Sequence, residues 1–155
     1  MNFLRSTSLA ALAVVSSLPG RVQAQQPAAS LAFNIGVFSD YRYRGISQTR
    51  LKPAVQGGVD YSGPGGFYLG AWASTIKWIK DAQGDAGFEL DLYGGFKGEI
   101  SKDLGFDIGV LAYVYPSAST NKWDAIYKNP DTTEVYGALT SGPVTAKLSY
   151  AATHL

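Results

Sequence analysis

The sequence predicts an all-β fold, an antiparallel up-and-down meander forming a transmembrane β-barrel behind a cleaved N-terminal signal peptide. Three observations predict it. Past residue 30, seven strand-like runs are joined by links that alternate long, short, long, short, long, short. Barrels of the bacterial outer membrane have this asymmetry, with short periplasmic turns and longer extracellular loops. Each run repeats apolar residues at every second position, the period of a strand. The runs are about 9–12 residues long, near what a tilted strand needs to cross a bilayer and longer than most soluble strands.

Residues 1–24 read as a processing segment. Arg5 lies in a short n-region, residues 9–18 (LAALAVVSSL) form an apolar stretch of secretory length, and Val22-Gln23-Ala24 fits the small-residue cleavage rule. Gln25 then begins the mature chain. The apolar stretch is too short for the roughly 20 residues of a spanning helix, and no second run of that kind exists. A membrane reading is therefore a barrel reading. The chain has no Cys, which excludes disulfides, thiolate metal sites and a lipoprotein anchor.

Removing 24 of the 155 residues leaves 131, one domain spanning residues 25–155. Arg5 and Arg21 leave with the signal, so 11 basic residues face 12 acidic ones. This balance gives no nucleic-acid footprint. Gly (18) and Tyr (10) are abundant. Glycine punctuates strands and turns, and tyrosine suits surfaces apolar at one end and wet at the other.

The runs follow in order. Phe33, Ile35 and Val37 oppose Asn34, Gly36 and Phe38. Further on, Tyr41 and Tyr43 oppose Asp40, Arg42 and Arg44. Val55, Val59 and Tyr61 oppose Gln56, Gly58 and Asp60. Phe67, Leu69, Ala71 and Ala73 oppose Tyr68, Gly70, Trp72 and Ser74. The alternation is clearest in residues 88–100. There Phe88, Leu90, Leu92, Phe96 and Ile100 oppose Glu89, Asp91, Tyr93, Lys97 and Glu99. Phe106, Ile108, Val110, Ala112 and Val114 oppose Asp107, Gly109, Tyr113 and Tyr115, with Leu111 an apolar exception among them. Val135 and Leu139 oppose Glu134 and Tyr136. Val144, Ala146, Leu148 and Tyr150 oppose Thr145, Lys147 and Ser149. None of the runs has the i, i+3, i+4, i+7 spacing of a helix.

The short turns fall at residues 63–66, 101–105 and 141–143, the first and last built from Gly and Pro, and the middle one reads as a five-residue hairpin loop. The long links fall near residues 45–52, 79–87 and 117–131. Tyr61, Phe67 and Phe106 lie on the apolar face beside short turns, and Tyr41 and Tyr43 on that face beside a long link. Membrane barrels place aromatic belts in this way, although the same rings could cap a soluble core.

The polar face gives twelve candidates for a lumen wall: Asp40, Arg42, Arg44, Gln56, Asp60, Glu89, Asp91, Lys97, Glu99, Asp107, Glu134 and Lys147. Around water they would tune which solutes pass, and a mixed set predicts weak selectivity. In a small closed barrel the same residues would pair and fill the interior. Asp40, Arg42 and Arg44 are the densest group. They read as a constriction for anions, or as a salt-bridge lattice with Glu89, Asp91 or Asp60 on neighbouring strands.

Catalytic signals are thin. His154 is the single histidine, there is no G-x-S-x-G elbow, and the glycine pairs precede no helix. Glu89 and Asp91 could act as paired carboxylates, but strand alternation explains their spacing. No enzyme activity, metal or cofactor is expected.

Several longer words carry a family likeness. They are Ser39-Asp40-Tyr41-Arg42-Tyr43-Arg44-Gly45-Ile46-Ser47-Gln48-Thr49, Pro53-Ala54-Val55-Gln56-Gly57-Gly58 and Gly66-Phe67-Tyr68-Leu69-Gly70-Ala71-Trp72, then Glu89-Leu90-Asp91-Leu92-Tyr93-Gly94-Gly95, Tyr113-Val114-Tyr115-Pro116 and Glu134-Val135-Tyr136-Gly137. Together they resemble the TorF family of porins, a bacterial group of largely unknown function. The resemblance runs from about Phe33 to Tyr150 and implies an outer-membrane barrel with a pore. It supplies no catalytic or binding residues. Members of that family look longer, this chain ends on Leu155 where an aromatic is common, and bacterial barrels have even strand numbers. Either the N-terminal segment or a loop holds another strand, or C-terminal strands are lacking, and the second is the expectation.

The expected function is passive diffusion of small hydrophilic solutes through the outer membrane of a Gram-negative bacterium, with outer-membrane lipid and those solutes as partners and scope for a homo-oligomer. The alternatives are a non-conducting periplasmic or peripheral β-barrel that binds a small ligand, and an outer-membrane lipid enzyme using His154.

Overall fold

The computed structural model describes residues 29–127 and 129–153. The expected signal peptide and His154 lie outside the described residues. The chain forms strands β1 (Ser30–Phe38), β2 (Arg42–Tyr43), β3 (Ile46–Ser47), β4 (Ala54–Ser62) and β5 (Phe67–Thr75), then helix α1 (Trp78–Asp81), β6 (Phe88–Ser101) and β7 (Leu104–Val114), and finally helix α2 (Asn121–Asp124), β8 (Thr132–Ser141) and β9 (Val144–Ala151).

The expected seven-stranded antiparallel meander is present, in the order β1-β4-β5-β6-β7-β8-β9, while β2 and β3 form a small hairpin of their own. The barrel is not closed. Among the described residues β1 and β9 each pair on one side only. Strand direction explains why they do not pair antiparallel with each other. The first and seventh strands of a meander run the same way, so antiparallel closure needs an odd number of further strands.

The turns on the short side are tight. Gly63 N–H donates to Phe67 C=O at 2.8 Å across a 3₁₀ turn at Pro64–Gly66. Gly66 has φ +87°, and a Cβ there would collide with the Lys97 carbonyl, so the position demands glycine. The middle turn is shorter than expected. Ser101 pairs directly with Leu104, leaving Lys102 and Asp103 as a two-residue loop, with the register shifting between Glu99 and Ser101. Ser141 likewise pairs with Val144 around Gly142 and Pro143.

The first run needs a correction. β1 stops at Phe38, and the chain does not continue as one strand through Arg44. Arg44 (φ +47°) and Gly45 (φ +86°) instead form the turn between β2 and β3. The backbone has rotated by then, so strand alternation no longer assigns faces there.

The hydrophobicity of the sheet is inside out. Ile35 is 85% exposed, Leu148 79%, Ile108 53% and Phe96 51%, all on one face, while Glu89 is 3% exposed on the other. The buried apolar cluster lies in the loops, where Ile76, Ile79, Ala86, Ala118 and Trp123 pack together with Tyr41, Trp78, Ala82 and Tyr115 against them. These loops join at one end of the sheet. Lys77 N–H donates to Gln48 C=O at 2.8 Å, Asp85 N–H to Ala118 C=O at 3.3 Å, and the Thr120 hydroxyl to Gln83 C=O at 2.7 Å. Arg50 and Asp81 form an ion pair between the first two long loops. The result is a folded cap.

Candidate functional site

Strand register puts nine of the candidate residues on one face. Gln56 pairs with Ser74 and Ser74 with Glu89, while Asp60 pairs with Gly70 and Gly70 with Tyr93. Lys97 pairs with Asp107, Asp107 with Ala138 and Ala138 with Lys147. Asp91 and Glu99 share the parity of Lys97, and Glu134 sits opposite Leu111. Directly paired residues point to the same side.

This face is a concave trough. Tyr93 donates to Asp60 Oδ1 at 2.5 Å, and Tyr68 donates to Asp107 Oδ1 at 2.5 Å, each across an intervening strand. The hydroxyls of Tyr68 and Tyr136 are also in hydrogen-bond contact. Each of these three rings lies opposite a glycine on the next strand: Tyr93 at Gly70, Tyr68 at Gly95 and Tyr136 at Gly109. A Cβ on Gly70 would overlap the Tyr93 ring, and one on Gly109 would meet the Tyr136 hydroxyl at 2.6 Å. These three Gly–Tyr pairs share one cause, since bare backbone lets a phenol lie flat and reach a polar partner across the trough. Lys147 Nζ lies 3.9 Å from the Tyr136 ring centre, and Lys97 Nζ 5.4 Å from that of Tyr68. Both distances are within cation–π reach.

Asp40, Arg42 and Arg44 lie in the first long loop, at the mouth. Asp40 Oδ2 and Arg42 Nε are 2.8 Å apart, and Arg44 reaches Glu134 at 3.3 Å rather than Glu89, Asp91 or Asp60. The Ser47 hydroxyl, 2.5 Å from Asp40 Oδ1, is the main reason that carboxyl is held below its ordinary value; Thr49 and Arg42 add to this.

Tyr41 and Tyr43 were expected in an outer aromatic belt, and the structure turns both inward. Tyr41 donates to Glu89 Oε1 at 2.6 Å and packs edge-on against Trp72 at 5.4 Å. Burial, then Glu89, pushes the Tyr41 phenol well above its usual range, and the same two causes act on Tyr115. The Tyr43 and Tyr113 hydroxyls are 3.3 Å apart. Phe88 and Tyr150, both exposed on the outer face, take the long-loop end instead. At the short-turn end Tyr61, Phe67 and Phe96 form a contiguous row, with centroids 6.4 and 5.4 Å apart.

Between cap and trough lies a cavity of about 290 Å³, lined by Tyr43, Arg44, Trp78, Glu89, Tyr113, Tyr115 and Glu134 among others. Sequence reasoning had placed Glu89, Arg44 and Glu134 on the wall. It missed Trp78, which reaches the cavity from a loop helix too short to carry a periodic signal.

A family model described as a bacterial protein of unknown function, Gcw_chp, matches residues 22–155. The chain belongs to the Gcw_chp family. No curated protein and no solved structure matches it. In this Gcw_chp chain the described residues hold no group of three or more His, Cys, Asp or Glu side chains placed to bind a metal ion. Among the described residues no helix is long and apolar enough to cross a membrane, which leaves strand crossing open.

Proposed function

We propose that this chain is exported and forms the wall of an outer-membrane β-barrel through which small hydrophilic solutes diffuse, with lipid against its outer face and no chemistry of its own. One observation carries the reading, the inverted hydrophobicity of the sheet. In water, exposing Ile35, Leu148, Ile108 and Phe96 on one face while burying Glu89 would forfeit the main driving force of folding. In a bilayer the apolar face meets acyl chains and the polar face meets water.

Three features agree with it. The sheet strands run from 8 to 14 residues, enough for a tilted crossing. Aromatic side chains stand near both ends of the outer face. The turns are tight at one end, and a folded cap occupies the other. The likeness to TorF porins points the same way. In lipid the open edges, β1 and β9, need partner strands, because unpaired backbone there costs several kcal/mol per group.

The test is detergent-refolded protein in a planar bilayer. Discrete conductance steps are expected. Recovery of the protein in the soluble fraction without detergent would overturn the reading in favour of a periplasmic ligand-binding barrel, a role that the capped cavity would also serve.

A further inference from the structure

The cavity beneath the cap is walled by rings and carboxylates. Tyr43, Trp78, Tyr113 and Tyr115 supply the rings. Glu89 and Glu134 supply the carboxylates, and they are only 3% and 8% exposed. Arg44 is the one cationic side chain in its lining. Its guanidinium lies 4.9 Å from the Tyr43 ring centre and 3.3 Å from Glu134 Oε1. The protein's own arginine therefore displays a mode of recognition, a flat cation held between a ring face and a buried carboxylate.

Arg44 satisfies one end of the cavity only. Glu89 accepts the neutral hydroxyl of Tyr41 at 2.6 Å, and Asp91 follows it on the same face. Buried carboxylates without a cation are costly, and a ligand that brings one relieves that cost. The rings add attraction for a positive charge once water is displaced. Trp78 Nε1 is buried with no hydrogen-bond partner. A cavity of about 290 Å³ suits a small solute rather than a drug-sized ligand.

We propose that this cavity binds small organic cations that place a guanidinium group against Glu89. The proposal rests on the reading of the trough as a solute path. It makes the mouth of that path a selective site for cations, where the mixed wall alone implied weak preference.

The experiment is isothermal titration of detergent-refolded protein with free arginine and with citrulline, the isostere that lacks only the guanidinium charge, using glucose as a neutral polyol control. Saturable arginine binding is expected, at least about tenfold tighter than citrulline. Glu89→Gln should weaken arginine binding by about tenfold or more. Arg44→Ala should tighten it, because the competing guanidinium is gone, and misfolding cannot mimic a gain. Citrulline or glucose binding as tightly as arginine overturns the proposal, as does an unchanged affinity in Glu89→Gln or a loss in Arg44→Ala. Binding is read in detergent and conduction in a bilayer, so one can fail while the other stands.

Discussion

The phenol hydroxyls of Tyr68 and Tyr136 touch, although β5 and β8 stand three places apart in the sheet. At about 4.8 Å per strand, a path along the sheet between them is roughly 14 Å. The contact is possible because the sheet curls and the two rings span the chord. A phenol carries one hydrogen. Tyr68 gives its hydrogen to Asp107, so Tyr136 donates to Tyr68, and the three groups form a directed relay across the trough.

That direction can be tested. Tyr68→Phe removes both bonds and strands Asp107, and should cost about 1–3 kcal/mol. Tyr136→Phe removes only the terminal donor and should cost about 1 kcal/mol. Urea unfolding in micelles measures both. Equal costs, or the reverse order, would contradict the relay.

The seven strands of the main sheet, their two faces and the side carrying the long loops were legible in the chain, because a period of two survives wherever a strand faces two different media. Phe88, Leu92 and Phe96 against Glu89, Asp91 and Lys97 already separate the two faces. The alternation failed at Tyr41 and Tyr43. Local turn geometry at Arg44 and Gly45 ended the strand, and hydrogen bonds to Glu89 and Tyr113 decided where the rings went. The cap was illegible for a related reason. Ile76, Ile79, Ala118 and Trp123 come from two loops with no shared period, and only tertiary contact makes them a cluster. The pairing of Tyr68, Tyr93 and Tyr136 with cross-strand glycines was visible only as two high counts until register joined them.

The cap has its own core, so it should unfold on its own. Trp123 is 3% exposed and meets Trp78 at 6.1 Å and Tyr127 at 4.7 Å between ring centres. Trp123→Ala should remove about 3–5 kcal/mol of packing from the cap. Hydrogen exchange should accelerate in residues 76–87 and 115–127 while β5, β6 and β7 keep their protection. Uniform loss of protection would mean that cap and sheet are one cooperative unit.

Acid should loosen the first long loop in a defined window. The Ser47 hydroxyl, with Thr49 and Arg42, holds the Asp40 carboxyl below 3.8. A carboxyl with a depressed folded value contributes stability above its unfolded value, and that contribution is lost as pH falls through the folded one. The loop should therefore be unchanged from neutrality down to about pH 3.8 and loosen below it. Ser47→Ala should move the Asp40 titration upward, measured by carbon-detected NMR of its carboxyl. A titration that stays in place would assign the shift to Thr49 and Arg42 instead.

A charge on the outer face separates lipid from water as the medium of this sheet. Val110 lies mid-strand in β7, 46% exposed, flanked in register by Gly94 and Val135. In water, arginine at a half-exposed strand position should cost little, since its stem can lie along the sheet while its head is solvated. At the bilayer midplane the same substitution should cost about 2–4 kcal/mol. Val110→Arg is therefore expected to destabilise protein folded into lipid vesicles by that amount, read by urea titration of its heat-modifiable gel mobility. Tyr150, at the loop end of the same face, should tolerate arginine at about 0–1 kcal/mol, because interfacial depth relaxes the penalty. Equal tolerance at Val110 and Tyr150 would place the outer face in water and return the inverted sheet to an unexplained state.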